Sequence, residues 1–580
     1  MVVRYNARIG AGKWMEPFVH RNALGSNAIT LTYDYPYHRS NTDDHIKHFI
    51  AALPEDRTTT RAFILLFYRA LKVPGTPFSV PKRLMKGVIR LGNKLVVDPV
   101  FAEDGAALAL EQAAWERHWD NPIAELNPQV KAFQELTVRK WSEWLERSAG
   151  RAARRGRGVN VIPCYEPATR APLGTVAVDG PDAVAAAIAA ARVAQIAWAQ
   201  RPLKARLAVL QDLLTHVLDH ADALCEVVCR DAGKTREHAM MGEIWPVAEK
   251  LRWTIANAER HLADEPVSSG LVMHKSARIE YRPLGVVGVI CPWNYPLQNV
   301  LGPVIPALAA GNGAVVKVSE WVAWSSARIQ QIFDEVLTAH GVSTDLVRLV
   351  NGYGETGAAL VSGGVDLVVF TGSVGNGRKV VAGSAATLVP VIAELGGKDA
   401  MIVCDDADLD QAVHSLLAGV FINAGQNCLS SERILVHDGI YDRFEAAVVT
   451  AVSALRVGPP LGPDPVDVGA IISPIQLDLI EDLVRRSVAA GARVLVGGAR
   501  ALPEVGQFFA PTVLAGVEPG MPIFEEETFG PVVALCRVRD DDHAVALANG
   551  TSFGLSSTVF SRDAARARFA SGPGCRRAAR

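Results

Sequence analysis

Apolar residues recur along this chain at two spacings, and the elements show where one spacing gives way to the other. Between Pro181 and Trp198, Ala, Val and Ile return at the period of a helix with one buried face. Pro181 suits a first helical turn, where its missing N–H costs nothing. A second helical stretch covers residues 203–228 and is broken by Gly233-Lys234, and a third covers 244–261, with Pro246 in its first turn. From residue 286 short runs of Val, Ile and Leu alternate with helical stretches. Strands are predicted at 286–290, 314–317, 347–350, 367–370 and 390–393, and helices at 301–310, 325–339, 355–361 and 376–382. Such alternation predicts a parallel sheet with right-handed crossovers. The style resumes with a strand at 400–403, helices at 409–421, 440–455 and 474–490, and a strand at 494–496, which predicts a second α/β lobe.

The first 150 residues break this pattern. They are richer in aromatics and histidine, with a strand-like alternation at 28–33, a compact apolar run at 61–70 and helical stretches at 105–118 and 128–147. Arg151-Ala152-Ala153-Arg154-Arg155-Gly156-Arg157-Gly158 is small, basic and punctuated by glycine, and reads as a linker. No secretory signal opens the chain, because Arg4 and Arg8 interrupt a start without an apolar core. Residues 284–311 carry no charge, but Pro292, Pro296, Pro303 and Pro306 favour a buried strand, a loop and a packed helix over a membrane span.

Composition narrows the classes. A chain of 580 residues, 49% hydrophobic, can build two or three cores. Its 59 basic and 61 acidic residues give a net charge of −2 and leave no electrostatic footprint for nucleic acid. The eight cysteines are scattered, which fits a reducing, cytoplasmic compartment better than a disulfide framework. Cys225 and Cys229 are four apart on a predicted helix, but no second pair lies nearby to complete a metal site, and no metal is expected.

Asn423-Ala424-Gly425-Gln426-Asn427-Cys428 reads as a loop that presents one thiol. Gly425 lets the backbone bend freely, and donors near a thiol raise its thiolate fraction. A lone cysteine is more often a small buried hydrophobe. Two other stretches change the weighing. In Glu394-Leu395-Gly396-Gly397-Lys398 a carboxylate ends an apolar run, and Cys291-Pro292-Trp293-Asn294-Tyr295-Pro296 places an amide after a buried strand. Together they supply a nucleophile, a base and an amide donor. Phe370-Thr371-Gly372-Ser373 follows an apolar strand and opens a helix, whose N-terminus favours an anion such as a pyrophosphate.

These stretches, with Lys317-Val318-Ser319-Glu320 and Glu527-Thr528-Phe529-Gly530-Pro531, stand in an order and at a spacing similar to the aldehyde dehydrogenase superfamily, and residues 159–565 resemble it. Pro163-Cys164-Tyr165-Glu166-Pro167-Ala168-Thr169 and Met273-His274-Lys275 resemble a plant and fungal branch with an N-terminal membrane anchor. The resemblance implies an α/β fold with a Rossmann-like NAD(P)-binding lobe over 159–395 and an α/β catalytic lobe over 396–580, behind an extra α+β segment over 1–150. A β-hairpin used for oligomerisation would protrude near 270–282, with strands at 271–273 and 277–281. The implied reaction is oxidation of a small aldehyde to a carboxylic acid. Cys428 would attack the carbonyl, the Asn294 amide and the Cys428 N–H would hold the alkoxide, and Glu394 would activate water to hydrolyse the thioester. Gly372 and Ser373 would lie by the cofactor pyrophosphate, Lys317 and Glu320 at the adenosine ribose, and Glu527 at the nicotinamide ribose. Trp293 would line the cofactor site and Phe529 would flank the nicotinamide. A carboxylate at 320 favours NAD over NADP, with Lys317 partly offsetting it.

Residues 97–105 with Glu111-Gln112 resemble the C-terminal part of the catalytic domain of Rieske-type oxygenases, in which Asp104 would match an iron ligand. That family's upstream histidines and cysteine motif are absent, so an oxygenase remnant without metal is expected. His45 and His48 would share an exposed helix face. After Arg568 the sequence departs from the family, which normally continues with a final strand that pairs with a neighbouring subunit. A truncated C-terminus, and a weak dimer or aggregation-prone monomer in place of the usual homo-oligomer, are therefore expected. Two further readings stay open: an inactive or unstable relative, and an N-terminal iron-oxygenase fragment. The aldehyde itself cannot be read.

Overall fold

The computed structural model describes residues 2–7, 27–34, 37–42, 46–54, 60–68, 161–271 and 274–571. They belong to two compact units, Met1–Ala149 and Gly150–Arg580.

In the first unit, five strands form an antiparallel meander in sequence order: β1 (Val2–Ala7), β2 (Asn27–Asp34), β3 (Tyr37–Thr42), β4 (Ile46–Pro54) and β5 (Thr60–Tyr68). His48 lies in β4 opposite Ser40 of β3, so the helix face expected for His45 and His48 is not formed. A three-residue spacing alone does not separate helix from strand when the surrounding run is β-rich. His45, Asp104, the linker at 151–158 and the helices expected at 105–118 and 128–147 lie outside the described residues.

The second unit opens with a hairpin, β6 (Val161–Tyr165) and β7 (Pro172–Ala177), and four helices: α1 (Pro181–Ala199), α2 (Leu203–Asp219), α3 (Ala221–Ala232) and α4 (Trp245–His261). α1 is long and apolar enough to cross a membrane, and 28% of that stretch is buried in the fold. One face packs inward: Val184, Ile188, Ala191 and Trp198 form a buried stripe, and Gln195 and Trp198 donate to the carbonyls of Gly311 and Leu308, while Val193 and Ile196 stay exposed. The stretch predicted as one helix over 203–228 is two. His220 leaves helical backbone geometry at φ −109, and the turn lets α3 bury Cys225 and Cys229. Both thiols sit in the core, and no metal-ligating cluster occurs among the described residues.

A short antiparallel ribbon follows, β8 (Glu265–Val267) with β9 (Ala277–Ile279). The hairpin is thus present, but its first strand precedes the expected 271–273. Gly270, at φ 58, bends the chain, its N–H donating to the Ser268 hydroxyl, and Leu271 falls in the fully exposed turn.

The cofactor lobe is a parallel sheet in the order β12-β11-β10-β13-β14, from β10 (Val286–Ile290), β11 (Gly313–Val318), β12 (Val347–Asn351), β13 (Leu367–Gly372) and β14 (Val391–Leu395). Its crossovers are α5 (Pro296–Ala309), α6 (Ala323–Ala339), α7 (Gly354–Ser362) and α8 (Val374–Ser384). Strands β10 and β11, at the centre of the sheet, are valine-rich and buried on both faces, as a covered parallel sheet requires. Helix α5 begins five residues earlier than predicted and contains Pro303. Pro303 has no N–H for the Asn299 carbonyl, which accepts the Cys291 thiol instead at 3.1 Å.

The catalytic lobe comprises β15 (Asp399–Val403), α9 (Leu409–Phe421), β16 (Ser431–His437), α10 (Tyr441–Ser453), α11 (Pro474–Ala489), β17 (Arg493–Val496), β18 (Arg500–Ala501), β19 (Phe508–Phe509), β20 (Thr512–Ala515), β21 (Val532–Val538), α12 (Asp541–Ala548), β22 (Ser557–Phe560) and α13 (Ala564–Ser571). Its sheet runs β17-β20-β21-β16-β15-β22 and is parallel except at β17, so this lobe is mixed. One large apolar core fills it.

Candidate active site

In the cofactor sheet, β10 leads to β11 on one side and has β13 on the other. The strand order reverses between β10 and β13, and ligands of open α/β sheets bind outside the carboxyl ends at such a point. Two motifs singled out in the sequence leave those strand ends: Pro292 to Pro296 after β10, and Gly372-Ser373 after β13. Ser373 caps α8, its hydroxyl accepting the Asn376 N–H. A Cβ at Gly372 would fall 2.8 Å from the Phe370 ring, so the turn requires glycine. Lys317, buried at the end of β11, places Nζ 3.3 Å from Glu320. Glu320 opens a single helical turn capped by Ser319.

The thiol loop is strained. Asn423, Ala424 and Gly425 take left-handed φ of 53, 55 and 74 in succession. For the two non-glycine residues this costs about 1–3 kcal/mol each. A Cβ at Gly425 would lie 2.1 Å from the Gly530 carbonyl oxygen. Side chains hold the loop in place. The Asn423 amide donates to the carbonyls of Asn294 and Gln426, each at 3.0 Å. Gln426 donates to Ala470 and Asn423 and accepts the Ile472 N–H. The Asn423 N–H donates to Nδ1 of His238, which burial and the nearby Lys234 charge push down to about 4, so this ring is neutral.

Asn294 is buried, and its Oδ1 accepts the Asn299 amide at 3.1 Å, which leaves its own NH₂ as the end with donors to give. Its carbonyl accepts Nζ of Lys234 at 2.7 Å. Trp293 meets Phe529 edge-on at 5.3 Å between centroids, which brings a cofactor-lobe and a catalytic-lobe residue together. Phe529 is seated by a buried ion pair: Lys398 bonds Glu432 at 2.5 Å, and Glu432 accepts the N–H groups of Thr528 and Phe529. Glu527 accepts the Gly397 N–H at 3.1 Å. A Cβ at Gly396 would lie 2.4 Å from the Glu527 carboxylate, and one at Gly397 would lie 2.5 Å from the Cys428 carbonyl. The two glycines after Glu394 therefore let Glu527 and Cys428 close on that turn.

The family model for the aldehyde dehydrogenase family matches residues 154–572. The chain belongs to the aldehyde dehydrogenase family. A putative aldehyde dehydrogenase-like protein of Schizosaccharomyces pombe is 37% identical over 410 residues, 70% of this chain and 78% of the relative. The crystal structure of an Escherichia coli NADP-dependent enzyme matches with a TM-score of 0.68 at 33% identity, covering 72% of this chain and 85% of that one. A Mycobacterium tuberculosis aldehyde dehydrogenase complexed with NAD⁺ matches equally well, at 31% identity over the same shares.

In this chain Glu394 lies in β14, paired with Thr371 at the edge of the cofactor sheet. It is exposed and makes no direct bond to Cys428. It reaches the thiol's neighbourhood only through the next turn of chain. The sequence reading missed Lys234, Glu243, His238 and Glu432 as parts of the site. The available signal was a charge set in an apolar helical run, as at Glu243; Lys234 stands in a turn among other charged residues and carries no such mark.

Cys428 is half-buried, and burial, then the charges of Glu527 and Asp399, push its thiol up to about 11, while the N–H groups of Cys428 and Leu429 pull the other way. The free enzyme therefore holds a protonated thiol at neutral pH. Its alkylation by iodoacetamide should rise about tenfold per pH unit from 7 to 10, without the plateau of an ordinary thiol near 8.5. Glu527→Gln should move the profile to lower pH. A profile that levels below pH 9 in the unmodified enzyme would contradict this.

Proposed function

We propose that this chain oxidises an aldehyde to a carboxylic acid with NAD(P), through a thiohemiacetal and a thioester on Cys428. The supporting observation is the Asn423 side chain, which ties the Asn294 peptide and the Cys428 loop into one unit beside the switch point. A nucleophile and an amide donor so joined suit acyl chemistry on a carbonyl.

The crevice suits a dinucleotide. The N-terminus of α8, with Ser373 and Gly372, offers N–H groups to a diphosphate. Glu320 and Lys317 suit the adenosine ribose, Glu527 the nicotinamide ribose, and Trp293 and Phe529 the nicotinamide. A bound nicotinamide supplies the two-electron acceptor. Once the Cys428 thiol has given its proton to water, its sulfur adds to the carbonyl carbon, forming a C–S bond as the C=O π bond breaks to an alkoxide. The Asn294 amide and the Cys428 N–H take up the negative charge. Collapse of the alkoxide releases the aldehyde hydrogen with its electron pair and leaves a thioester. Glu394 takes a proton from water as its oxygen attacks the thioester. The C–S bond then breaks, returning Cys428 and releasing the acid.

A panel of aliphatic and aromatic aldehydes, followed by spectroscopic detection of NADH and by carboxylate analysis, tests this. One acid per NADH is expected, and no NADH with any aldehyde would overturn the reading. In the same assay NAD⁺ should outperform NADP⁺, because Glu320 repels a 2′-phosphate. Glu320→Gln should narrow the gap by about tenfold, the scale of a removed like-charge contact. Equal affinities in the unmodified protein would show that Glu320 does not face the 2′ position.

A further inference from the structure

One buried ion pair is not used by the chemistry above, yet it touches it. Lys234 and Glu243 are both fully enclosed, with Nζ 2.6 Å from Oε1. Taking two charges out of water is costly, and apolar residues of the same volume often serve stability as well. The pair spends its remaining bonding capacity on a single loop. Nζ of Lys234 donates to the Asn294 carbonyl at 2.7 Å and lies 4.0 Å over the Tyr295 ring. The second oxygen of Glu243 accepts the N–H groups of Leu297 and Gln298 at 3.0 and 2.8 Å, two of the open donors in the first turn of α5. Peptides and side chains from 294 to 298 are thus gripped from both charges.

The mounting of the pair is equally specific. Glu243 projects from a single π-helical turn, Met240–Ile244, of a kind frequent at functional sites. A Cβ at Gly242 would lie 2.5 Å from the Tyr295 ring, so this turn packs directly on the same loop. Lys234 follows Gly233, whose φ of 72 ends α3 and whose carbonyl accepts the Ala470 N–H at 2.8 Å. The Ala470 carbonyl in turn accepts Gln426 of the thiol loop. The Asn294 carbonyl is the shared acceptor of Lys234 and Asn423, so the ammonium sits where the amide loop and the thiol loop join.

We propose that Lys234 and Glu243 are positioning residues: the pair fixes the Asn294 peptide against the Cys428 loop, so that the Asn294 amide is aimed at the charge developing on the substrate oxygen. This rests on the role given to Asn294 above. Neither residue touches substrate in this account, and both act through Asn294.

A double-mutant cycle on the full chain tests it, with Asn294→Ala, Lys234→Met and the double variant, each checked for folding by thermal melting. Asn294→Ala should lower kcat by about 10² to 10³, the range for a lost oxyanion donor. Lys234→Met should lower kcat by about 10 to 100, the scale of a misplaced group. The nucleotide Kd should stay within about twofold of wild type, since the pair does not reach the cofactor crevice. The double variant should fall no more than about threefold below Asn294→Ala, because residues acting through one interaction are not additive. If Lys234→Met multiplies its full factor onto Asn294→Ala, the pair is merely structural and the inference is overturned while the assigned chemistry stands. If Asn294→Ala alone matches wild type, the role of Asn294 fails and this inference with it, a result read from a different variant. Should Lys234→Met not fold, Glu243→Gln keeps the volume but removes the charge and one of the two acceptor oxygens, so that either the Lys234 bond or both α5 contacts are lost, and the same cycle is read with it.

Discussion

Cys428→Ser should lower aldehyde turnover by at least about 10⁴-fold, the scale for removing the nucleophile of an acyl-transfer site. The expectation follows from both chemistry and packing. A serine hydroxyl ionises far less readily than a thiol, and His238, on the Asn423 end of the loop, is a poor base for its proton: its Nδ1 already accepts the Asn423 N–H, and burial holds its pKa down at about 4. The fold should not notice the change. The thiol's polar contacts are local, a weak 3.8 Å approach to the Asn427 amide oxygen and the N–H groups of Cys428 and Leu429, whereas the loop is held by Asn423 and Gln426. Nucleotide affinity and melting temperature should therefore stay near wild type. Turnover, a fluorescence titration with NAD⁺ and a thermal melt measured on one preparation separate the effects. Near-wild-type turnover with serine at 428 would remove Cys428 as the nucleophile.

The parts of this protein that were legible in its sequence share a physical cause. Strands β10 to β13 are short runs of valine, isoleucine and leucine between glycines and helical stretches, and each was placed within a residue or two. Buried parallel strands carry this mark because both faces must be apolar. Two turns were legible for the same kind of reason. Gly372 and Gly425 stand where a Cβ would collide, and such constraints leave their trace in single residues. What could not be read depends on partners distant in the chain. Lys234 meets Asn294 and Glu432 meets Lys398 only after the lobes assemble. The break at His220, the early start of α5 and the strand at β8 turn on one or two dihedrals or on a bond to a neighbour, such as Cys291 under Asn299. Periodicity carries no information about those.

Glu394→Gln should separate the two halves of the reaction. Glu394 is exposed on the edge strand β14, with no hydrogen bond or ion pair to give up among the described residues, and its backbone register with Thr371 does not depend on the carboxylate. Glutamine keeps the shape and removes the base. In the proposed reaction, formation of the C–S bond and loss of the hydrogen from the alkoxide fall to Cys428 and Asn294, so the first NADH should still appear quickly. Hydrolysis needs a proton removed from water at the thioester, and its rate should fall by about 10² to 10⁴, the usual contribution of a positioned general base. Mixed rapidly with NAD⁺ and aldehyde, the variant should give a burst near one NADH per Cys428, followed by slow turnover. Intact-protein mass measured during the slow phase should show the chain heavier by one acyl group, and Cys428→Ser in the same background should lose both burst and adduct. If burst and turnover fall together, Glu394 acts before the thioester, on the thiol or on the bound nucleotide, and the water-activating role belongs to another carboxylate. Glu527 is then the next to test: it lies against the Cys428 turn, and burial, then the charge of Glu432, push it up to about 7, where a carboxylate can both hold and release a proton.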